Sequence, residues 1–269
     1  MQTRLSALTA TVVAAISLDA AATSLQLTVT VENLAPDNSV AYAPLRVGFH
    51  NGTYDAFDIG EEAGDAIISV AEGGSGNDWF PAFQAADPTA VLGSVVPDPA
   101  GPLLPGATAS ATFTVNTDIN DFFTFAAMVV PSNDFFIGND NPMAYELFDD
   151  SGNLLISEIT LGADEIWDAG SEIFDPAAAA FLADGVNDLR TAQNSVVAFN
   201  FAELAAFNGL ETAAGYTFDS QLTAFSDVYR ISFEVSQIPV PAALPLLSGA
   251  LGMLGFLARS RRGAKPGAS

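Results

Sequence analysis

Four stretches of this chain alternate apolar and polar residues with a strict period of two, and nothing else in the sequence constrains the fold as strongly. Leu25, Leu27, Val29 and Val31 alternate with Gln26, Thr28, Thr30 and Glu32. Ala107, Ala109, Ala111, Phe113 and Val115 alternate with Thr108, Ser110, Thr112 and Thr114. The pattern returns over residues 155–161 and again at Tyr229, Ile231, Phe233 and Val235. Successive side chains of a strand point to opposite faces, so each stretch reads as a strand with one dry and one wet face. Such strands belong to antiparallel sheets. Joined by turn-rich loops, they predict an all-β fold with minor helices, an antiparallel β-sandwich over residues 23–236.

Other segments fill in the frame. Phe122–Val130 is apolar nearly throughout, as a central strand covered on both faces would be, and Leu45–His50 is a further strand closed by the turn signal Asn51-Gly52. Over residues 61–72 the period changes. Ala66, Ile67, Val70 and Ala71 share one helical face, acids stand at the start and Gly73-Gly74 ends it. A second short helical turn is expected over Trp79–Ala86, with its aromatics turned inward, and residues 97–105 form a proline-dense loop. Residues 175–224 are rich in Ala and Asn with mixed periodicity, and read as an insertion with one or two helices.

The chain has no cysteine, which excludes disulfides and thiolate metal sites. Any resident metal is therefore held by oxygen or by the lone His50, and oxygen ligands point to calcium, magnesium or manganese. Asp plus Glu number 32 against 8 Lys plus Arg, a surface that repels nucleic acid and attracts divalent cations.

Both ends read as addresses. Residues 1–22 have the layout of a secretory signal: Arg4, an apolar centre over 5–17, and Ala20-Ala21-Ala22 as a cleavage site. At the far end, a Pro-rich hinge over 237–242 precedes an apolar run over 243–258. Arg259, Arg261, Arg262 and Lys265 follow within the tail, 243–269. That run is a short membrane-span candidate with its basic end on the cytoplasmic side. The tail resembles the PEP-CTERM class of sorting signals in its Val-Pro-Leu-Pro-Ala variant, here Ile238-Pro239-Val240-Pro241-Ala242. The resemblance implies a transient partner, an exosortase-type protease, and delivery to the cell surface or the extracellular polymer, with the membrane met only through the tail.

Two acidic loops carry the candidate chemistry. One spans residues 128–140 and contains Pro-Ser-Asn-Asp ending at Asp134; the other spans 164–172 and contains Trp-Asp-Ala-Gly-Ser-Glu ending at Glu172. If both turns lie at the same end of one sheet, Asp134, Asp168 and Glu172 can converge on a hard cation. Asp140 and Asp164 stand close by in the sequence.

Four stretches in order resemble the spondin domain, the module of F-spondin-like matrix proteins. They are Val29-Thr30-Val31-Glu32-Asn33-Leu34; Val47-Gly48-Phe49-His50 with Gly60-Glu61-Glu62-Ala63; residues 127–138; and Trp167-Asp168-Ala169-Gly170-Ser171-Glu172. The resemblance covers residues 24–174, with Val228-Tyr229-Arg230-Ile231 as a last strand. It implies a sandwich akin to calcium-binding membrane modules, with a calcium ion (Ca2+) between the acidic loops. The family's first-loop Asp maps to Asp134 and its second-loop acids to Asp168 and Glu172, where this chain has Glu in place of Asp.

The function this implies is a secreted, calcium-binding structural or adhesive protein of an extracellular matrix or biofilm, not an enzyme. Its expected partners are extracellular polysaccharide or cell-surface proteins. A carbohydrate-binding module is the second reading and a secreted hydrolase the third. For the last, the acidic pairs Glu61-Glu62 and Asp149-Asp150 are what chance supplies in so acidic a chain, and no Gly-x-Ser-x-Gly elbow is present. His50, next to a turn and without evident partners, is expected to pack rather than to react.

Overall fold

The computed structural model describes residues 24–237; the signal and tail expectations lie outside these, as does the hinge apart from Gln237, which is the last residue of a strand. The chain forms, in order, strands β1 (Ser24–Asn33), β2 (Ala41–Tyr42) and β3 (Leu45–His50), then helices α1 (Asp65–Gly73) and α2 (Trp79–Ala86). Strands β4 (Val91–Val95), β5 (Thr108–Asn116), β6 (Phe122–Val130), β7 (Phe135–Gly138) and β8 (Glu158–Gly162) follow. The last are β9 (Trp167–Asp168), β10 (Ala198–Phe199) and β11 (Asp227–Gln237).

They make two antiparallel sheets, ordered β5-β1-β11-β8 and β10-β9-β7-β6-β3-β4, with β2 also on β6. This is the expected all-β sandwich. The alternating stretches supply the first sheet, and their apolar members (Leu25, Leu27, Val29, Val31, Ile231) are buried between the sheets. β6 is covered on both faces: Phe123, Phe125, Ala127 and Val129 face the main core, while Ala126 and Met128 face the helices' side.

α1 buries Ile67, Val70 and Ala71 and ends at Gly74, whose positive φ of 58° lets its own N–H return to the Val70 carbonyl and the Ser75 N–H to that of Ser69. α2 is held by its aromatics. Phe83 lies against Gly48 of β3, where an added Cβ would come 2.4 Å from the ring, so the glycine makes the notch that seats the helix. Tyr54 stacks on Phe83 at 3.9 Å and Trp79 meets both rings. The inward turn of these aromatics matches the sequence reading.

Some expectations shift. The strand expected over 155–161 begins at Glu158, because Leu155 instead donates its N–H to the Leu147 carbonyl. β4 arises where no strand is apparent from the sequence. The expected helices of the insertion are 3-10 turns, Asn187–Leu189 and Phe201–Phe207, with no α-helix among residues 175–224.

The sandwich has two poles. β1 begins and β11 ends side by side, with Leu25 opposite Gln237 and Ser24 opposite Asn116 of β5. Phe123, at the start of β6, meets Phe233 of β11 at that pole. At the other pole Tyr42 meets Tyr229, Ala41 pairs with Val130, and β6 turns into the Asp134 loop.

Candidate functional site

The two acidic loops are joined directly. β7 pairs with β9, with Phe135 opposite Asp168 and Phe136 opposite Trp167, and Ala169 donates its N–H to the Asp134 carbonyl at 3.2 Å. What reads as two separate turns is therefore one corner of one sheet. Ser132 Oγ, anchored to the Val129 carbonyl, accepts the Phe135 N–H at 3.1 Å and shapes the turn before Asp134. Trp167 Nε1 donates to the Gly138 carbonyl at 3.0 Å.

Asp134 is buried, with 2% of its surface exposed. Its Oδ2 accepts the N–H groups of Ser171 (2.7 Å) and Glu172 (2.9 Å) and the Ser171 hydroxyl (3.2 Å). Gly170 creates this cradle. It has φ of 64°, and an added Cβ would lie 2.8 Å from the backbone of Ser195 and Val196. Its own N–H is held by Asp168 Oδ1 at 2.7 Å. Burial and then the neighbouring Asp168 charge push the Asp134 carboxyl up to about 7, against the pull of the three donors.

Asp168 is half-buried and its Oδ2 accepts from Asn200 Nδ2 at 3.2 Å. The same amide donates to Glu203 Oε2 at 3.1 Å. Burial, and secondarily the Asp168 charge, raise the Glu203 carboxyl, while the Asn200 bond lowers it. Asp168 thus stands between two other acids, one from each side.

Glu172 turns another way. It is 2% exposed; Asn133 Nδ2 donates to its Oε1 at 2.9 Å, and its Oε2 is buried with no hydrogen-bond partner among the described residues. Burial raises its carboxyl; the Asn133 bond and Arg190 lower it, and Glu72 and Asp175 raise it. Arg190 forms its ion pair with Glu72. So Asp134 and Asp168 come together, and Glu172 joins them through its backbone while its carboxylate faces Glu72.

Among the described residues no three Asp, Glu or His side chains close up tightly enough to hold an ion unaided. The donor chemistry still fits a hard cation. Asp134 and Asp168 oppose each other's charge, and the buried Glu172 Oε2 lacks a donor. Asn200, Glu203, Glu72 and Asn133 are the members that sequence reasoning missed. The first two sit more than 30 residues beyond Asp168 in a stretch without periodicity. Arg190 left a faint signal, being the only Lys or Arg between Arg46 and Arg230.

His50 is a packed residue. Its Nδ1 accepts the Gly52 N–H at 3.1 Å, which puts the ring proton on Nε2, 2.9 Å from Thr124 Oγ1. Burial pushes it down to about 4, partly offset by Asp87. The pair Asp149-Asp150 lines a cleft of about 260 Å3 with Asp118, Asp121 and Glu146 at the pole where β11 ends. Among the described residues no helix is long and apolar enough to cross a membrane. No family model matches the chain, and no curated protein matches it significantly.

Proposed function

We propose that this chain is a secreted calcium-binding structural or adhesive protein of an extracellular matrix or biofilm, delivered by exosortase-type sorting. The observation that carries the reading is Asp134: a buried carboxyl raised to about 7, with a second carboxylate beside it and main-chain donors fixing its orientation. A buried acid in that state is stabilised by a cation or by a proton, and in a chain of formal net charge −24 the cation has every electrostatic advantage.

Asp134 and Asp168 would hold the ion, with backbone carbonyls or water completing the six to eight oxygens calcium takes, while Glu172 takes part through its N–H on Asp134 rather than through its carboxylate. The bound ion supplies fixed positive charge, which neutralises the corner and offers a bridge to anionic polysaccharide that the bare surface repels. A site with two carboxylates in reach of the ion belongs with extracellular modules that bind on the order of 10⁻⁴ to 10⁻³ M.

Thermal melting tests it. Calcium at about ten times its Kd stabilises the fold by roughly 1.4 kcal/mol, a rise of a few degrees in Tm. Asp134→Asn or Asp168→Asn should erase that rise while leaving the chelated protein folded. A wild-type melt that ignores calcium sinks the site.

One feature favours a second reading, carbohydrate binding without calcium. Two polar clefts of about 390 and 320 Å3 meet over α1, where Asp65 and Ile68 line both. Ser69, Asn77, Asn187 and Asn194 supply donors and acceptors suited to sugar hydroxyls. Saturable glycan binding that persists in chelator selects this reading.

A further inference from the structure

The two sheets protect their edges on one flank and leave them open on the other. On the first flank, the seven-stranded sheet ends in β10, two residues long, and the four-stranded sheet in β8, five residues long. β8 carries Glu158 and pairs with β11 across a register shift between Asp227 and Tyr229. Short length, charge and irregular pairing are the devices that keep an edge from recruiting another strand. On the opposite flank lie β4 and β5, brought together where Gly93 meets the Phe113 ring. β5 runs for nine residues without proline, charge or register shift.

The free edge of β5 can be read residue by residue. Asn33 of β1 donates its N–H toward β5, to the Ala107 carbonyl, whereas Leu34 donates toward β11, to Val228. Residues of one strand alternate in this way, so Ala109, Ala111, Phe113 and Val115 bond to β1. Thr108, Ser110, Thr112 and Thr114 then direct their N–H and C=O groups away from it. At the strand's end the outward Asn116 N–H is taken by Asn120 Oδ1 at 3.1 Å.

The side chains on this flank are also uncovered. Ala109, Ala111 and Phe113 face the core yet are only half-buried, while Leu27 and Val29 beside them on β1 are 0% exposed. Leu104 and Val96 add exposed apolar surface. Charge singles out the same place, since between Asp87 and Asp118 the one charged residue is Asp98. In so acidic a chain this is where two copies meet with least repulsion.

We propose that β5 is a dimerisation edge, at which two copies pair antiparallel about a two-fold axis through Thr112. The strand is complementary to itself in that register. Thr112 meets Thr112 of the copy, and Ser110 meets Thr114, all through the outward backbone groups, with hydroxyls opposite hydroxyls on the wet face. On the dry face Ala111 meets Phe113 and Ala109 meets Val115, small against large each time. The four-stranded sheets of the two copies become one continuous sheet.

Sedimentation of the full chain tests this, read beside its Thr112→Pro variant. At an outward edge position proline removes no backbone bond to β1, only the exposed Thr112–Thr28 hydroxyl bond of 2.9 Å, so the variant keeps the fold but loses the central pairing. The expected result is a species of twice the 27.8 kDa chain mass that dissociates to the single-chain mass in Thr112→Pro. Should that variant misfold, Thr112→Lys, which sets two like charges against each other at the axis, has to dissociate the dimer instead. A single-chain mass at every attainable concentration overturns the proposal, whether or not the edge then captures an added peptide of residues 107–117. A dimer that survives substitution in a folded variant overturns it too.

Discussion

A carboxylate with three donors on one oxygen is ordinarily more acidic than a free one, and Asp134 is not. Hydrogen bonds to a charged group are worth roughly 1.5–3 kcal/mol each, while burying a charge costs several kcal/mol before a like charge is added beside it. At Asp134 burial and Asp168 win. The sign of the consequence is fixed: with the folded value, about 7, above the unfolded one, the group's contribution is full below pH 4 and is lost as pH rises through 7. The calcium-free protein should therefore lose stability over that window, by on the order of 4 kcal/mol at most. Asp134→Asn should flatten the profile in denaturant titrations run across pH. Calcium, which competes with the proton, should raise Tm more at pH 8 than at pH 6. Asp134 and Asp168 are legible in the sequence because Pro-Ser-Asn-Asp and Asp-Ala-Gly-Ser announce turns. The side-chain direction of Glu172 is not legible, since it is decided by Asn133 and by Glu72, a hundred residues upstream.

At the level of elements, what the sequence reveals is what alternates. β1 and β5 carry the period of two for their whole length, and β11 carries it from Tyr229 to Val235, beyond its register shift; all three are where the pattern puts them. β4, β7 and β9 are two to five residues long and lie among apolar or acidic neighbours, too short for a period to show. Yet β7 and β9 make the site, because their pairing turns two loops into one corner. Gly170 is the hinge pin of that corner. A side chain there meets the backbone of Ser195 and Val196 and forces a left-handed φ on a residue that resists it. Gly170→Ala should cost about 2 kcal/mol or more and withdraw the Ser171 and Glu172 donors from Asp134. Loss of stability by chemical denaturation, together with loss of the calcium-induced rise in Tm, is the expected pair of results. A variant as stable and as calcium-responsive as wild type refutes the role.

Across the whole molecule the excess of 24 negative charges works against compactness. Screening by salt relieves it, so the Tm of the chelated protein should climb with sodium chloride, most steeply at low ionic strength. A melt that falls as salt is added contradicts this. Composition makes that charge plain; its uneven distribution, with β4 and β5 free of charged residues and five acids gathered around one cleft at the pole where β11 ends, appears only once the strands are folded together. The points where the chain enters and leaves the described sandwich have a mechanical consequence. The chain enters β1 and leaves β11 at the pole opposite Asp134. A pull applied at the end of β11, against a grip on the Asp134 corner, runs along the strands rather than across them. The β1–β11 and β11–β8 ladders then share the load over their whole length instead of parting one bond at a time, the arrangement in which a sheet resists force best.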